Sequence, residues 1–348
     1  MKRPDSTAKE TAGDRPVRRR NILKTPISLI VDDAAPYISV YYTHAGKERI
    51  SDGRPLLKYY PNEFFFRFCD IAERYGLRGK FSVVPMPGNL GDINHGIEGV
   101  PETVLREWLD GVKTRLVPGF SVCPEMLTHN HAVDLKTGAA LGPNEQEWAS
   151  TKDRTELTPY IAKALSILCE AGFSPAGVTS PWMFGIEVED EYAAAISDAL
   201  FEVTGRDTGW FFMRSRKGPG AKPWVEIGTD TRTLVAVPAT LSDRFWPSID
   251  SSREGEEYST EIADRLISRD GKSGEIIDVL ESGGWPVLLS HWQSLMSNGR
   301  LTGLRALEKI AGRIEEHLSD RVEWKSCEEI MNIVAADRAA FPKPDFGS

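Results

Sequence analysis

Residues 27–33 read Ile-Ser-Leu-Ile-Val-Asp-Asp, a short apolar run that ends in two adjacent carboxylates, and this stretch decides how the fold is interpreted. Downstream of it, short β-branched or aromatic runs alternate with longer amphipathic stretches, which is the pattern of repeated βα units. Similar polar groups follow three later apolar runs: Glu125-x-x-x-His129-x-His131, Thr179-Ser180-Pro181-Trp182 and Leu288-Leu289-Ser290-His291. The C-terminal ends of the strands of a β/α barrel meet at one mouth, so these side chains are expected to surround one substrate. The pattern therefore predicts an enzyme.

The order of predicted elements favours an α/β fold, namely a distorted TIM-like (β/α) barrel of about seven or eight units. A doubly wound open sheet shows the same alternation, and the barrel is preferred because polar groups recur at strand ends along the whole chain. Strands are predicted at residues 27–31, 80–84, 120–123, 176–178, 209–213, 234–237, 286–289 and 322–324. Helices are predicted at residues 62–75, 101–116, 155–171, 187–203, 274–282, 301–318 and 326–339.

The chain is interpreted as one catalytic domain with two tails. Residues 1–24 are polar and poor in large apolar groups, which predicts a flexible N-terminal tail. Residues 25–340 are assigned to a single barrel domain with long loops, and residues 341–348 to a C-terminal tail.

Composition excludes several function classes for this chain of 348 residues. A net charge of −9 argues against a nucleic-acid partner, and no phosphate-binding glycine motif supports a nucleotide cofactor. The four cysteines form no CxxC pair, which favours buried thiols over a zinc knuckle or a disulfide framework. No signal-peptide core and no apolar run of about 18 residues is found, so we expect a cytoplasmic protein without a membrane partner.

Asp32 and Asp33 are the first candidate site residues. Adjacent carboxylates repel each other unless a cation or a proton is shared between them, which indicates a metal site or an acid-base role. Consecutive strand residues point to opposite sides, so the two aspartates are expected to have different tasks. The alternative is a turn or a helix cap made by Asp.

The second candidate group is Glu125, His129 and His131. In an extended segment, residues two apart share a face, so His129 and His131 are predicted to point the same way. Imidazole beside carboxylate is a common ligand set for zinc, iron, manganese or nickel. Glu125 could join the ligands if the chain turns, or could act as an acid or base. The alternative is a pair of structural histidines.

His291 and three tryptophans complete the candidate set. His291 ends an apolar run and is predicted to be a general acid, with a core histidine bonded to backbone as the alternative. Trp182, Trp246 and Trp292 fall in loops or at strand ends, where an aromatic face could stack on a sugar ring. Ordinary packing is the alternative for each tryptophan alone, whereas the group favours a carbohydrate or a related small molecule as substrate.

The order of these motifs resembles that of the polysaccharide deacetylase family, also called the NodB-homology or carbohydrate esterase 4 type, over residues 27–335. The resemblance implies a distorted β/α barrel with a divalent metal. Asp32 and Asp33 match an Asp-Asp pair whose first member acts as base and whose second ligates the metal. Leu288 to His291 match the Leu-x-x-His motif that supplies the general acid.

Two middle motifs depart from the family pattern. The family's His-x-x-x-His becomes Glu125-x-x-x-His129, with His131 as a possible substitute ligand. The family's Arg-x-Pro becomes Thr179-Ser180-Pro181, so no arginine is present there to orient Asp32.

The resemblance implies a hydrolase that removes an acyl group from a carbohydrate or a related small substrate. A divalent metal, zinc first and nickel, manganese or iron as alternatives, would lie on Asp33, His129 and either His131 or Glu125. Asp32 would be the base and His291 the acid. One competing hypothesis is a glycoside hydrolase or lyase that uses Glu125 and an aspartate about 5 to 10 Å apart across an open cleft. Another is a catalytically silent barrel that binds a saccharide.

Overall fold

The structure, a computed structural model, describes residues 24–45 and 48–345. Apart from Lys24, the predicted N-terminal tail lies outside the described residues, as do the last three residues of the predicted C-terminal tail. Phe341, the first residue of that C-terminal segment, packs edge-to-face on Trp285 with ring centroids 5.4 Å apart. The backbone N–H of Val225 donates to the carbonyl oxygen of Phe341 at 2.9 Å.

Nine strands build the two main sheets, and two short hairpins lie outside them. The strands are β1 (Thr25–Ala34), β2 (Gly79–Val83), β3 (Phe120–Pro124), β4 (Gly177–Thr179), β5 (Thr208–Phe212), β6 (Trp224–Gly228), β7 (Thr233–Ala236), β8 (Val287–His291) and β9 (Val322–Trp324). The hairpins are Gly91–Asp92 with Gly96–Ile97, and His131–Val133 with Ala140–Asn144.

The helices alternate with these strands. They are α1 (Val40–Ala45), α2 (Asn62–Arg74), α3 (Glu102–Gly111), α4 (Glu145–Ala149), α5 (Arg154–Glu170), α6 (Glu189–Thr204), α7 (Gly255–Leu266), α8 (Glu275–Glu281), α9 (Trp292–Met296), α10 (Thr302–Leu318) and α11 (Cys327–Ala336). The predicted helix 101–116 is α3 followed by a π-helical turn at Val112–Leu116.

Among the described helices and the strands of the two main sheets, five elements were not predicted: α1, α4, α7, α9 and β6. Helices α1, α4 and α9 are only five or six residues long. Helix α7 has a mostly polar sequence, and only a narrow stripe that includes Tyr258, Ile262 and Leu266 is buried. Strand β6 is a partly exposed edge strand that runs antiparallel to β7. The polar sequence of α7 does not stand out from the loops beside it, whereas β6 contains Trp224, Val225 and Ile227 and its apolar pattern was overlooked.

The strands form two sheets, in which every pairing is parallel except that of β6 with β7. The first has the order β8-β1-β2-β3, with β9 pairing with the start of β1, and the second has the order β6-β7-β5-β4. The sheets meet at a parallel bridge between Glu125 and Thr179. On the far side, the N–H groups of Thr240 and Leu241 donate to the Val287 carbonyl at 3.1 and 3.2 Å. The predicted mixed α/β fold is thus confirmed, whereas strand pairing among residues 24–45 and 48–345 does not close into one barrel.

Strand β1 is the central element of the first sheet. Ile27, Leu29, Ile30 and Val31 are all inaccessible to solvent, which explains why this strand is apolar on both faces. Its pairing with β2 shifts register between Val31 and Ala34. The shift is a β-bulge, and it falls on the two aspartates.

The main core contains a buried aromatic cluster beneath the first sheet. Phe81 of β2 packs against Phe68 of α2 and Trp292 of α9, with ring centroids 6.2 and 5.4 Å apart. All four cysteines are unpaired thiols, and only Cys169 is not fully buried. Among the described helices, none is both long enough and apolar enough to cross a bilayer, and the cytoplasmic location stays a prediction.

Candidate metal and acid-base site

A cavity of about 460 Å³ opens at the C-terminal ends of the parallel strands. Most of the predicted polar site residues line it, although they come from distant parts of the chain. The acids and bases of its wall are Asp32, Asp33, Glu125, His129, Arg214 and His291.

Asp33, Glu125 and His129 form the tightest group in this cavity. The Nε2 atom of His129 lies 2.9 Å from Asp33 Oδ1 and 3.7 Å from Glu125 Oε1. Potential ligand atoms of the three residues all lie within 4.8 Å of one another, and all three residues are buried. Glu125 also accepts the backbone N–H of Asp33 at 2.5 Å.

Backbone turns bring the three side chains together. Asp33 has a left-handed backbone, with φ of 63°, because it lies in the bulge of β1. The bulge lets Asp32 and Asp33 both line the cavity, whereas regular strand alternation predicts opposite sides. Met126 and His129 also have positive φ, 43° and 53°, so the chain reverses after β3 and returns His129 toward Glu125.

The electrostatics of the cluster suit a cation. Burial opposes the charge of Asp33, but the positive charge of His129 holds the pKa of Asp33 well below its ordinary value. Burial and the neighbouring charges of Asp33 and Asp32 raise the pKa of Glu125 well above its ordinary value. Burial lowers the pKa of His129, but Asp33 outweighs burial and raises it to about 9. Two buried carboxylates therefore share one imidazole, and these donors fit a divalent metal such as zinc.

His131 is placed elsewhere. Its side chain is exposed, and its Nδ1 atom lies 3.1 Å from the carbonyl oxygen of Gly142 in the other strand of its own hairpin. The prediction that His129 and His131 share a face is wrong because the backbone at His129 is left-handed and not extended. Glu125, and not His131, is the residue that the fold brings to Asp33 and His129.

Asp32 has different surroundings from Asp33. Its carboxylate accepts a hydrogen bond from Lys80 and another from Ser82 Oγ at 3.2 Å. Lys80 is fully buried and also donates to Thr179 Oγ1 at 2.7 Å. Burial lowers the pKa of Lys80, but the charge of Asp32 outweighs burial and raises it. The sequence analysis missed Lys80, although a charged residue in a predicted buried strand, sharing a face with Ser82, was an available signal.

His291 pairs with an acid that the sequence analysis did not single out. Its Nδ1 atom lies 2.7 Å from Asp243 Oδ2. Burial lowers the pKa of His291, but the hydrogen bond with Asp243 and the charge of Asp33 raise it to about 10. Asp243 is held in turn by the backbone N–H groups of Phe245 and Trp246, at 2.8 and 3.0 Å. Asp243 lies in a loop, and nothing in the sequence pattern indicated which acid would face His291.

Gln293 is a further polar residue of the site. It is buried, and its side-chain amide donates to Asp33 Oδ2. This contact helps to orient the carboxylate whose other oxygen faces His129. Its position two residues after His291 was its only signal in the sequence.

The three tryptophans divide into two groups. Trp182 and Trp246 line the cavity and are 37% and 36% exposed. Trp182 packs against His129 with ring centroids 4.4 Å apart, and Trp246 packs against His291 at 4.8 Å. Trp292 is instead 1% exposed and belongs to the aromatic core, so its predicted role in substrate binding is wrong. Helix α9 begins at this residue and turns its side chain toward α2.

Comparison with known proteins gives a distant likeness to a solved structure. No family model and no curated protein matches the chain. Among solved structures, a "putative polysaccharide deacetylase" from Mycobacterium smegmatis is 16% identical with a TM-score of 0.47, over 82% of this chain and 80% of that chain. Similarity at this level assigns neither fold nor function to the chain.

Proposed function

We propose that this protein is a metal-dependent hydrolase of the polysaccharide deacetylase type, which removes an acyl group from a carbohydrate or a related small substrate. The observation that carries the proposal is the buried cluster of Asp33, Glu125 and His129, in the same cavity as Asp32 and His291. A cluster of ligands, a candidate base and a candidate acid are the parts that such a hydrolysis requires.

The cluster would hold the metal through two carboxylates and one imidazole. Zinc is our first choice because it accepts nitrogen and oxygen ligands of this kind, and nickel, manganese and iron are the alternatives. When bound, a divalent ion supplies Lewis acidity toward an acyl carbonyl and toward water. In this chain Glu125 replaces the first histidine of the family motif, so the ligand set has one more negative charge than the family pattern implies.

Asp32 is the proposed base, and Lys80 takes the place of the missing arginine. The ammonium group of Lys80 is buried beside the Asp32 carboxylate, where it fixes the position of that carboxylate and balances its charge. An aspartate held in this way can accept a proton from an attacking water at the cavity wall.

His291 is the proposed acid. With Nδ1 bonded to Asp243, its Nε2–H is the group that would protonate a leaving amine or alcohol. The raised pKa, about 10, keeps the imidazole protonated at neutral pH. Asp243 thus has the role of orienting the acid and maintaining its charge.

The cavity wall supports a carbohydrate substrate with an apolar acyl group. The exposed rings of Trp182 and Trp246 offer flat faces on which the C–H face of a sugar could stack. Ile186, Phe212 and Leu289 also line the cavity and make part of its wall apolar. A wall of this mixed character suits a small polar ring that carries an acyl substituent.

The geometry favours this reaction over glycosidic cleavage. A glycosidase separates its two carboxyl groups by about 5 to 10 Å so that the scissile bond fits between them. Here the ligand oxygens of Asp33 and Glu125 lie within 4.8 Å of each other, and His129 lies beside both. The close packing of these groups also argues against a silent binding barrel, because a site without a task does not require them within hydrogen-bonding reach.

The fold proposed with this function is a distorted (β/α) barrel whose wall comprises the parallel strands of both sheets. The Glu125–Thr179 bridge and the bonds from Thr240 and Leu241 to Val287 are the two seams between the sheets. An experimental structure with strand order β1-β2-β3-β4-β5-β7-β8 around one axis would confirm this arrangement, and a flat open order would contradict it.

The direct test is metal content together with deacylation. Protein purified without chelator and without a histidine tag is compared with its His129→Ala and His131→Ala variants. We expect about one metal ion per chain in the wild type and in His131→Ala, loss of the metal in His129→Ala, and release of acetate from acetylated amino sugars only when the metal is present. Metal or turnover retained in His129→Ala would contradict the proposal.

A further inference from the structure

The loop that carries His129 has an unusual backbone. Met126 and His129 both have left-handed backbone angles, with φ of 43° and 53°, although neither is glycine. Residues in such conformations persist only where their surroundings hold them. The loop must therefore be held by contacts from outside it.

Glu145, the first residue of α4, makes those contacts. It is fully buried, and its Oε1 atom accepts the N–H groups of Leu127 and Thr128 at 3.1 and 2.9 Å. Its Oε2 atom accepts the N–H of His129 at 2.8 Å. Its own backbone N–H donates to the carbonyl of Asn130 at 2.9 Å. One residue thus binds four consecutive positions of the loop.

Glu145 is itself fixed from a third element. Tyr160 of α5 is buried and donates its hydroxyl to Glu145 Oε1 at 2.7 Å. The ring of Tyr160 packs against Trp148 of α4, with ring centroids 4.4 Å apart. A buried carboxylate requires hydrogen-bond donors, and the loop and Tyr160 together supply four. The carboxylate is therefore committed to the loop and is not a member of the Asp33–Glu125–His129 cluster.

We propose that Glu145 is a positioning residue that holds His129 in its ligating geometry, so that metal affinity depends on a carboxylate outside the ligand set. The inference rests on the proposed metal centre. Residues that orient a metal ligand typically change metal affinity by about 10- to 100-fold when they are replaced. Here the orientation acts through the backbone of the loop, because Glu145 accepts the N–H groups of Leu127, Thr128 and His129.

Glu145→Gln is the informative change because it preserves shape. A glutamine has one carbonyl oxygen and one NH₂ group, so whichever way it lies, at least one loop N–H faces another donor. Glu147→Gln is the matched control, since it makes the same change of charge two residues along α4 at an exposed position. Tyr160→Phe removes one donor to Glu145 and leaves the loop sequence intact.

The experiment is a zinc titration of the wild type and the three variants by calorimetry, with thermal melting of each metal-free protein. We expect Glu145→Gln to bind zinc about 10- to 100-fold more weakly than Glu147→Gln, and Tyr160→Phe to show a smaller loss in the same direction. Equal zinc affinity in Glu145→Gln and Glu147→Gln, with a wild type that binds one zinc, would overturn the positioning role alone. A wild type that binds no zinc would overturn the metal centre and the positioning role together. If Glu145→Gln does not fold, Tyr160→Phe decides, and wild-type affinity in that variant overturns the inference.

Discussion

Asp32 and Asp33 are neighbours in the chain, yet they lie in two different electrostatic regions. On the Asp32 side, the buried cation Lys80 already balances the charge of the carboxylate. On the Asp33 side, two carboxylates share the single imidazole of His129, with a neutral amide from Gln293. The difference teaches that the same residue type acquires its task from its partners: a balanced carboxylate suits proton transfer, and an unbalanced pair suits a metal.

Breaking the balanced side should have the largest effect. In Lys80→Met, Asp32 remains buried without its cation, and removal of one partner of a buried ion pair costs about 3 to 5 kcal/mol. We expect a loss of that size in the free energy of unfolding, measured by urea denaturation. The Lys80→Met/Asp32→Asn double variant should regain much of it. A loss below about 1 kcal/mol in the single variant would mean that the pair is not a buried ion pair.

The Asp243–His291 pair extends the comparison to a second balanced carboxylate. In Asp243→Asn, the amide can no longer accept the proton of Nδ1 as a charged partner, so the pKa of His291 should fall from about 10 by about 1 to 3 units. The acid works only while protonated, so the alkaline limb of kcat/KM should move to lower pH by the same amount.

The check is a titration of His291 followed by NMR, with Asp250→Asn as the control. Asp250 lies in the same loop, and its neutralisation changes the loop's charge without touching His291. A pKa of His291 that stays near 10 in Asp243→Asn would show that Asp33 and not Asp243 maintains the charge of the imidazole.

The Asp33–Glu125–His129 cluster should make the affinity for zinc depend on pH. Burial lowers the pKa of His129, but Asp33 raises it to about 9, so this imidazole must release a proton before it can ligate. Zinc affinity should therefore increase about tenfold per unit from about pH 6 to about pH 8, and this gain should end above about pH 9. Calorimetry in buffers of different ionisation enthalpy measures the released proton, and an affinity independent of pH would contradict the assignment.

The smallest effect is expected from His131, which lies two residues after His129 in sequence but outside the Asp33–Glu125–His129 cluster in space. His131→Ala should change the free energy of unfolding by no more than about 0.5 kcal/mol, as exposed substitutions usually do. It should also leave zinc affinity unchanged. A loss of zinc in this variant would show that the loop rearranges to bring His131 to the metal.

Local pattern was sufficient for most of the fold. The predicted strand 322–324 coincides with β9, and the predicted helix 62–75 differs from α2 by one residue. The helix has an apolar period that local sequence reveals, and the strand has the apolar–polar–apolar alternation Val322-Glu323-Trp324. Helix α7 was missed because so little of its surface is apolar, whereas the apolar residues of edge strand β6 were overlooked.

The candidate site divides in the same way. Five candidate residues follow apolar runs in the sequence, and the fold brings all of them to one cavity: Asp32, Asp33, Glu125, His129 and His291. Their partners could not be predicted, because Lys80 and Asp243 reach Asp32 and His291 from 48 positions away in the chain. A distance of that kind is set by strand order and loop path, which no local period encodes.

The sequence by itself determined most of the strands and helices and the polar residues that end the strands, because apolar periodicity and strand-end position are local properties. Only the tertiary structure decided which charged side chains lie next to each other and which candidate residues lie away from the cavity. The bulge in β1 turned Asp33 toward His129, the left-handed turn at His129 sent His131 to the surface, and the packing of α9 took Trp292 into the core. Each outcome depends on a backbone conformation that contacts between distant segments stabilise against its local cost.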